Sequence, residues 1–267
     1  MACPSGAGHD VGNPLPSVRT CLSRARPDSC YFLRRMGGHD ARGRMPLSLV
    51  SQEPDLLFYT RQAAEHGGPV LVLGAANGRV VWALAGDGYD AVGVDPSEVM
   101  IRSAEEQRSS EPEDVSRRAR FQVADLRSLR LDERFPLVLA PQHALGLMPG
   151  KDDLEALLAT VRHHLTPDGS FVYDVLNTPR EPVLPRDDEA PSAGLEPRRP
   201  LFTLHLRERR APGGPSPIRR LKLRHFTPEE LDAALTAAGL VPRERYGRFD
   251  GKPFDLEDSR HIGIAGP

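Results

Sequence analysis

Between residues 54 and 265 the chain alternates short unbroken apolar runs with longer stretches in which apolar residues recur every three or four positions. The run VLVL at 70–73 has no polar residue, the pattern of a strand covered on both faces, and AVGV at 91–94, FQVA at 121–124, FPLVLA at 135–140 and SFVYDV at 170–175 predict further strands. The intervening stretches predict helices. Residues 53–66 carry Pro54 early, then Leu56, Leu57, Tyr59, Ala63 and Ala64, and stop at Gly67-Gly68-Pro69. Further helices are predicted at 79–85, from Pro96 and Ser97 to Gln107 with Ser97 as N-cap, and at 151–165, where Leu154, Leu157, Leu158, Val161 and Leu165 form one stripe. Residues 109–118 read as a charged linker, and Thr166-Pro167-Asp168-Gly169 as a turn. Later, 201–210 and 217–226 alternate apolar with polar residues, predicting an antiparallel hairpin with Phe202, Leu204, Leu206, Leu221 and Leu223 on one face. Thr227, Pro228 and Glu230 open a helix over 226–240 with a capping box. Two last strands, 241–246 and 259–265, flank the loop GRFDGKPFDLEDS. Strands alternating with helices predict an α/β fold around a mostly parallel sheet.

Composition sharpens the boundaries. The 267 residues suit one α/β domain with appendages rather than two domains. Residues 1–48, rich in Gly, Pro, Ser and Arg, predict a disordered or loosely ordered extension; 49–267 form the working domain, with 178–226 as an inserted loop and hairpin. Met36 and Met45 are alternative starts; the arginines of the extension also permit a targeting peptide, and an extended start is the preferred reading. A net charge of −2 gives no general pull toward nucleic acid or anionic membrane. No apolar run approaches the ~18 residues of a membrane span and none near Met1 resembles a signal core, which predicts a cytoplasmic protein. Cys3, Cys21 and Cys30 form no C-x-x-C pair, so neither a metal site nor a disulfide framework is expected.

The chemistry concentrates around PVLVLGAANGRV, residues 69–80. Small residues Gly74, Ala75, Ala76 and Gly78 follow the first strand, so the backbone can turn sharply and its N–H groups can approach a ligand. The second strand ends in Asp95, about 20 residues on, placed to accept hydrogen bonds from both hydroxyls of a ribose. An adenosine-containing ligand follows. The glycines at 74 and 78, with Arg79 at the sixth position, do not fit the G-x-G-x-x-G of dinucleotide sites. The block resembles the first motif of class I S-adenosylmethionine-dependent methyltransferases, with Val72 where that family usually has an acid and Ala76 in place of its middle glycine. HHLTPDGSFVYDVLN at 163–177 and the ending FTPEEL, AAGL and YGRFDGKPFDLEDSRHI resemble the same family.

That resemblance implies a Rossmann-like seven-stranded sheet with the last strand antiparallel, an inserted hairpin lid, and S-adenosyl-L-methionine as cofactor. It also implies roles. Asp125 would accept from the adenine amino group and the Leu126 N–H meet a ring nitrogen, with Pro96, Met100 and Pro141 at the rim and Tyr59 as a contact from the first helix. Arg79 would pair the methionine carboxylate or stand in solvent. His143, after the fourth strand, is the candidate general base because imidazole titrates near neutrality, and His143, Asp174 and Asn177 are candidate substrate contacts. The implied activity is methyl transfer to an amine or hydroxyl of a small molecule, with nucleic acid an unlikely partner and the oligomeric state open. Two alternatives remain: a catalytically weak or non-catalytic protein of this fold, suggested by Val72 and Ala76, and an RNA methyltransferase using basic residues such as Arg219 and Arg220 on the hairpin.

Overall fold

The computed structural model describes residues 53–177, 201–207 and 218–267. The extension at 1–48 and much of the insert at 178–226 therefore lie outside the described residues. Nine strands and six α-helices are described: α1 Glu53–His66, β1 Val70–Leu73, α2 Arg79–Gly86, β2 Ala91–Asp95, α3 Glu98–Gln107, α4 Glu113–Arg118, β3 Ala119–Val123, β4 Phe135–Ala140, α5 Lys151–His164, β5 Leu165–Leu176, β6 Leu201–Arg207, β7 Ile218–Arg224, α6 Pro228–Ala237, β8 Val241–Tyr246 and β9 Arg260–Gly266.

Seven strands form one sheet in the order β3-β2-β1-β4-β5-β9-β8, with β9 antiparallel to β5 and β8. The expected seven-stranded, mostly parallel sheet is what the chain forms. Every residue of β1 is fully buried because the strand is covered on both faces. Leu71 and Leu73 pack with α5 and α6 residues such as Leu157 and Leu235, whereas Val70 and Val72 pack with Leu56 and Tyr59 of α1 and Val81 of α2. Strand order reverses between β1 and β4, and in open α/β sheets ligands sit beyond the strand ends at such a point.

Two local expectations are corrected. The charged linker contains α4, in which Glu113 and Asp114 open the helix, Arg117 and Arg118 close it, and Val115 anchors it in the core. Paired charges four apart and a favourable helix dipole replace the apolar stripe that periodicity requires. Residues 166–169 belong to β5, absorbed by an irregularity that pairs Phe135 with Leu165 and then Leu137 with Ser170. β6 and β7 pair as a separate two-stranded sheet, opposing Phe202 to Leu223 and Leu204 to Leu221, the register the alternation predicts. β7 lies against the turn Ala144–Leu147 that follows β4.

Candidate active site

Asp95 closes β2 with its carboxylate held from two sides: Oδ2 accepts from the Ala76 N–H and Oδ1 from the Ser97 N–H, both at 2.9 Å. One donor comes from the glycine turn and the other from the N-cap of α3, so the acid locks both loops. Each oxygen keeps a second lone pair, enough to accept from neighbouring hydroxyls. The turn itself differs from expectation. The N–H groups of Gly74 and Ala75 donate to the Val94 carbonyl, and that of Gly78 to the Ala75 carbonyl. Four N–H groups of the turn, at 74, 75, 76 and 78, are thus committed within the protein; the turn supplies shape and close approach rather than these donors. Gly74 has φ +77°, and a Cβ there would lie 2.8 Å from that of Ala144, so the loops after β1 and β4 touch only because this side chain is missing.

Ala76 adopts φ 47°, and Gln142 and His143 adopt 53° and 62°. These are the non-glycine residues with positive φ among those described, and all stand on the loops after β1 and β4. An L-residue in this region carries about 1–2 kcal/mol of strain, which persists only where surrounding contacts dictate it. Ala76 thus holds a strained backbone conformation at the point where its N–H donates to Asp95.

Along the sheet edge, Asp125 follows β3 as an exposed acid paired with Arg127, whose guanidinium holds the carboxyl at about 2. Leu126 is buried in the core, which fixes the backbone on which its N–H stands. Pro96 is exposed, Met100 half-buried with its N–H on the Ser97 hydroxyl, and Pro141 buried. On the α1 side, Arg79 binds Asp55 through two bonds, at 3.1 and 2.5 Å, replacing the expected alternatives of ligand pairing or solvation.

At the ends of β4 and β5 the candidate substrate contacts are committed elsewhere. Asp174 is fully buried and accepts from the Tyr59 hydroxyl, from the Gln142 N–H at 2.6 Å and from Arg260 at 2.5 Å. Burial pushes its carboxyl up, opposed chiefly by the Arg260 charge, and pushes the Tyr59 hydroxyl well above its ordinary value. Both belong to a structural hub joining α1, β5, β9 and the β4 loop, which corrects the expected substrate role of Asp174 and ligand contact of Tyr59. Asn177 donates both amide hydrogens to the carbonyls of Leu256 and Asp258, at 2.8 and 2.7 Å, and so fastens the loop before β9 rather than a substrate.

His143 is buried, and its Nδ1 accepts from the Leu176 N–H at 2.9 Å, which leaves the proton of the neutral ring on Nε2. The Arg224 backbone, at the end of β7, meets the same ring, and burial pulls its pKa down to about 4. Its acceptor nitrogen is already in use, so the geometry opposes the expected general base and gives His143 a positioning role. His225 completes the arrangement: its ring bonds to the Leu176 backbone, its Nδ1 has no hydrogen-bond partner among the described residues, and burial lowers its pKa.

Sequence reasoning missed Asp55, Gln142, Arg260 and His225. The positive φ of Gln142 has no signature in a Pro-Gln-His segment, and Arg260 meets Asp174 across 86 positions. His225, directly before a firmly predicted helix start, was open to notice.

Residues 70–169 match the family model described as a methyltransferase domain. Among solved structures, the CcbJ methyltransferase from Streptomyces caelestis aligns with a TM-score of 0.68 and 26% identity, over 80% of this chain and 95% of that one. An S-adenosylmethionine-dependent methyltransferase from Clostridium acetobutylicum ATCC 824 aligns with a TM-score of 0.66 and 17% identity, over 89% and 98%. The glycopeptide N-methyltransferase MtfA complexed with S-adenosyl-L-methionine aligns with a TM-score of 0.59 and 20% identity, over 78% and 86%. No curated protein matches the chain.

Proposed function

We propose that the chain, whose residues 70–169 match a methyltransferase domain and whose fold resembles that of S-adenosylmethionine-dependent methyltransferases, methylates an amine or hydroxyl of a small molecule. The observation that carries this reading is the Asp95 carboxylate, held by the Ala76 and Ser97 N–H groups with lone pairs remaining for the two hydroxyls of a ribose. The donor set fits the cofactor. Asp95 takes the sugar, Asp125 and the Leu126 N–H take the adenine edge, and Pro96, Met100 and Pro141 line the rim. S-adenosylmethionine supplies a methyl group on a sulfonium, already activated toward a nucleophile.

What the protein adds is positioning. The strained loop after β4 is fixed by Asp174 and His143, so the wall facing the acceptor is rigid before anything binds. β7 against the Ala144–Leu147 turn lets the hairpin serve as a lid over that wall. An amine acceptor needs only to arrive neutral and aligned, in keeping with a site whose His143 already has its acceptor nitrogen occupied. The similarity to a glycopeptide N-methyltransferase supports nitrogen as the acceptor atom. The RNA alternative rests on Arg219 and Arg220, whose side chains lie outside the described residues.

Calorimetry with S-adenosylmethionine should give one binding event per chain, and methyl-labelled cofactor incubated with a metabolite extract should pass its label to small molecules. Absence of binding at millimolar cofactor overturns the reading; label in RNA alone would replace the acceptor.

A further inference from the structure

We propose that the root of the β6–β7 hairpin is latched to the end of β5 by two imidazoles, His143 and His225, which share the Leu176 peptide and loosen their hold in mild acid. The latch itself needs no ligand; only its use as a control on the acceptor wall rests on the reading above. β5 pairs with β4 as far as Tyr173, opposite Ala140, and then runs on to Leu176 without that neighbour. The loop after β4 takes over the open edge. The Asp174 carbonyl accepts from the His143 N–H at 3.0 Å, and two residues on, at the same side of the strand, the Leu176 N–H donates to His143 Nδ1 at 2.9 Å. With that N–H spent, the Leu176 carbonyl is the backbone group left for the His225 ring. His225 Nδ1 has no partner among the described residues, so the donor is Nε2. The Arg224 backbone meets the His143 ring in turn. Two rings therefore stitch the end of β5 to the end of β7.

The fold makes room for this. A Cβ at Gly146 would fall 2.1 Å from His143 Nε2 and 2.2 Å from Cδ2, so only glycine there admits the ring. Gly146 stands on the turn against which β7 packs, and His143 enters it at φ 62°. A strained backbone persists where surrounding contacts dictate it, and here the contacts are those of the latch.

The bond to Leu176 requires a neutral His143. A proton on Nδ1 would face the Leu176 N–H, donor against donor. Protonated His225 would keep its donor but place a charge beside His143. Arg260, at the start of β9, also disfavours a charge on His143, while Glu230 of α6 favours one on His225 and pairs with Arg224. The Asp174 carboxylate is bound to Arg260 and Tyr59. Burial holds the closed His143 at about 4, against 6.5 for a ring released to solvent. Closure is therefore at full strength above about 6.5 and weakens up to about tenfold per pH unit as the pH falls toward 4.

The test is amide exchange by NMR on the full chain at pH 7 and pH 5, each rate divided by its intrinsic value. Protection of the Leu176 N–H should fall about twentyfold, while α5 amides such as that of Leu157 stay protected. In His143→Gln, with no ring to titrate, the fall should shrink to within about threefold. Gly146→Ala expels the ring: at pH 7 Leu176 should already exchange at least about twentyfold faster, and nuclear Overhauser contacts between the His143 ring and Arg224 should vanish with it. Retained α5 protection reports that a variant is folded; if Gly146→Ala does not fold, the pH response of His143→Gln decides. Flat Leu176 protection in the unaltered chain or an undiminished fall in His143→Gln overturns the latch, as does a folded Gly146→Ala that keeps native Leu176 protection or the Arg224 contact. Failure to bind S-adenosylmethionine leaves these readouts untouched and overturns the proposed function alone.

Discussion

The two halves of the site use polar residues in opposite ways. On the β1–β2 side a single carboxylate, Asp95, organises two loops through backbone N–H groups and retains acceptor capacity. On the β4–β5 side Asp174, Tyr59, Asn177 and His143 each bond to other parts of the protein, through partners up to 115 positions away. The first half is built to hold something, the second to hold itself still. A methyl donor that is already activated asks for this division, because the acceptor side then needs rigid shape more than reactive groups.

The comparison breaks most visibly at Asp174. Asp174→Ala strips a partner from Arg260, Tyr59 and the Gln142 N–H together and should lower unfolding free energy by about 3–5 kcal/mol in a denaturant titration. Loss of S-adenosylhomocysteine affinity in chains that remain folded should be far smaller than at Asp95. There the effects should reverse: Asp95→Ala should weaken S-adenosylhomocysteine about 100-fold by calorimetry, beyond any fall in melting temperature. If the two variants behave alike, the halves are not distinct.

Acid sharpens the contrast. Burial holds His143 and His261 neutral, with pKa values near 4 against 6.5 in an unfolded chain, so below about 6.5 the unfolded state binds more protons. Stability from these rings is complete above that pH and declines as pH falls toward 4, at up to about 1.4 kcal/mol per pH unit for each. Melts of His143→Gln between pH 7 and 4.5 should show a shallower decline than the unaltered chain by about one proton; equal slopes would mean that His143 is not held neutral. The smallest effect belongs to Asn177→Ala, which removes two bonds to the 256–258 carbonyls and should cost about 1–2 kcal/mol in stability with cofactor affinity unchanged.

How much of this was legible in the sequence follows the same division. The β1 run, the small-residue turn and the acid ending β2 are local, their spacing is fixed by strand and turn geometry, and the structure joins them through the Ala76 to Asp95 bond. The hairpin register and the Thr227–Glu230 capping box are local too, and both form. α4 escaped notice because one buried residue, Val115, and two charge pairs stabilise it without a stripe. The roles of Asp174 and His143 escaped for a different reason: residue type marks each as reactive, and only distant partners, Arg260 for one and Leu176 for the other, reveal that each is already engaged.

The most direct measurement is a crystal structure of the chain with S-adenosylhomocysteine. Asp95 should accept from both ribose hydroxyls while still holding the Ala76 and Ser97 N–H groups, with the adenine edge at Asp125 and Leu126. A sugar bound away from Asp95, or a β1–β4 crevice closed by its own side chains at saturating ligand, would contradict the division on which the methyltransferase site is built.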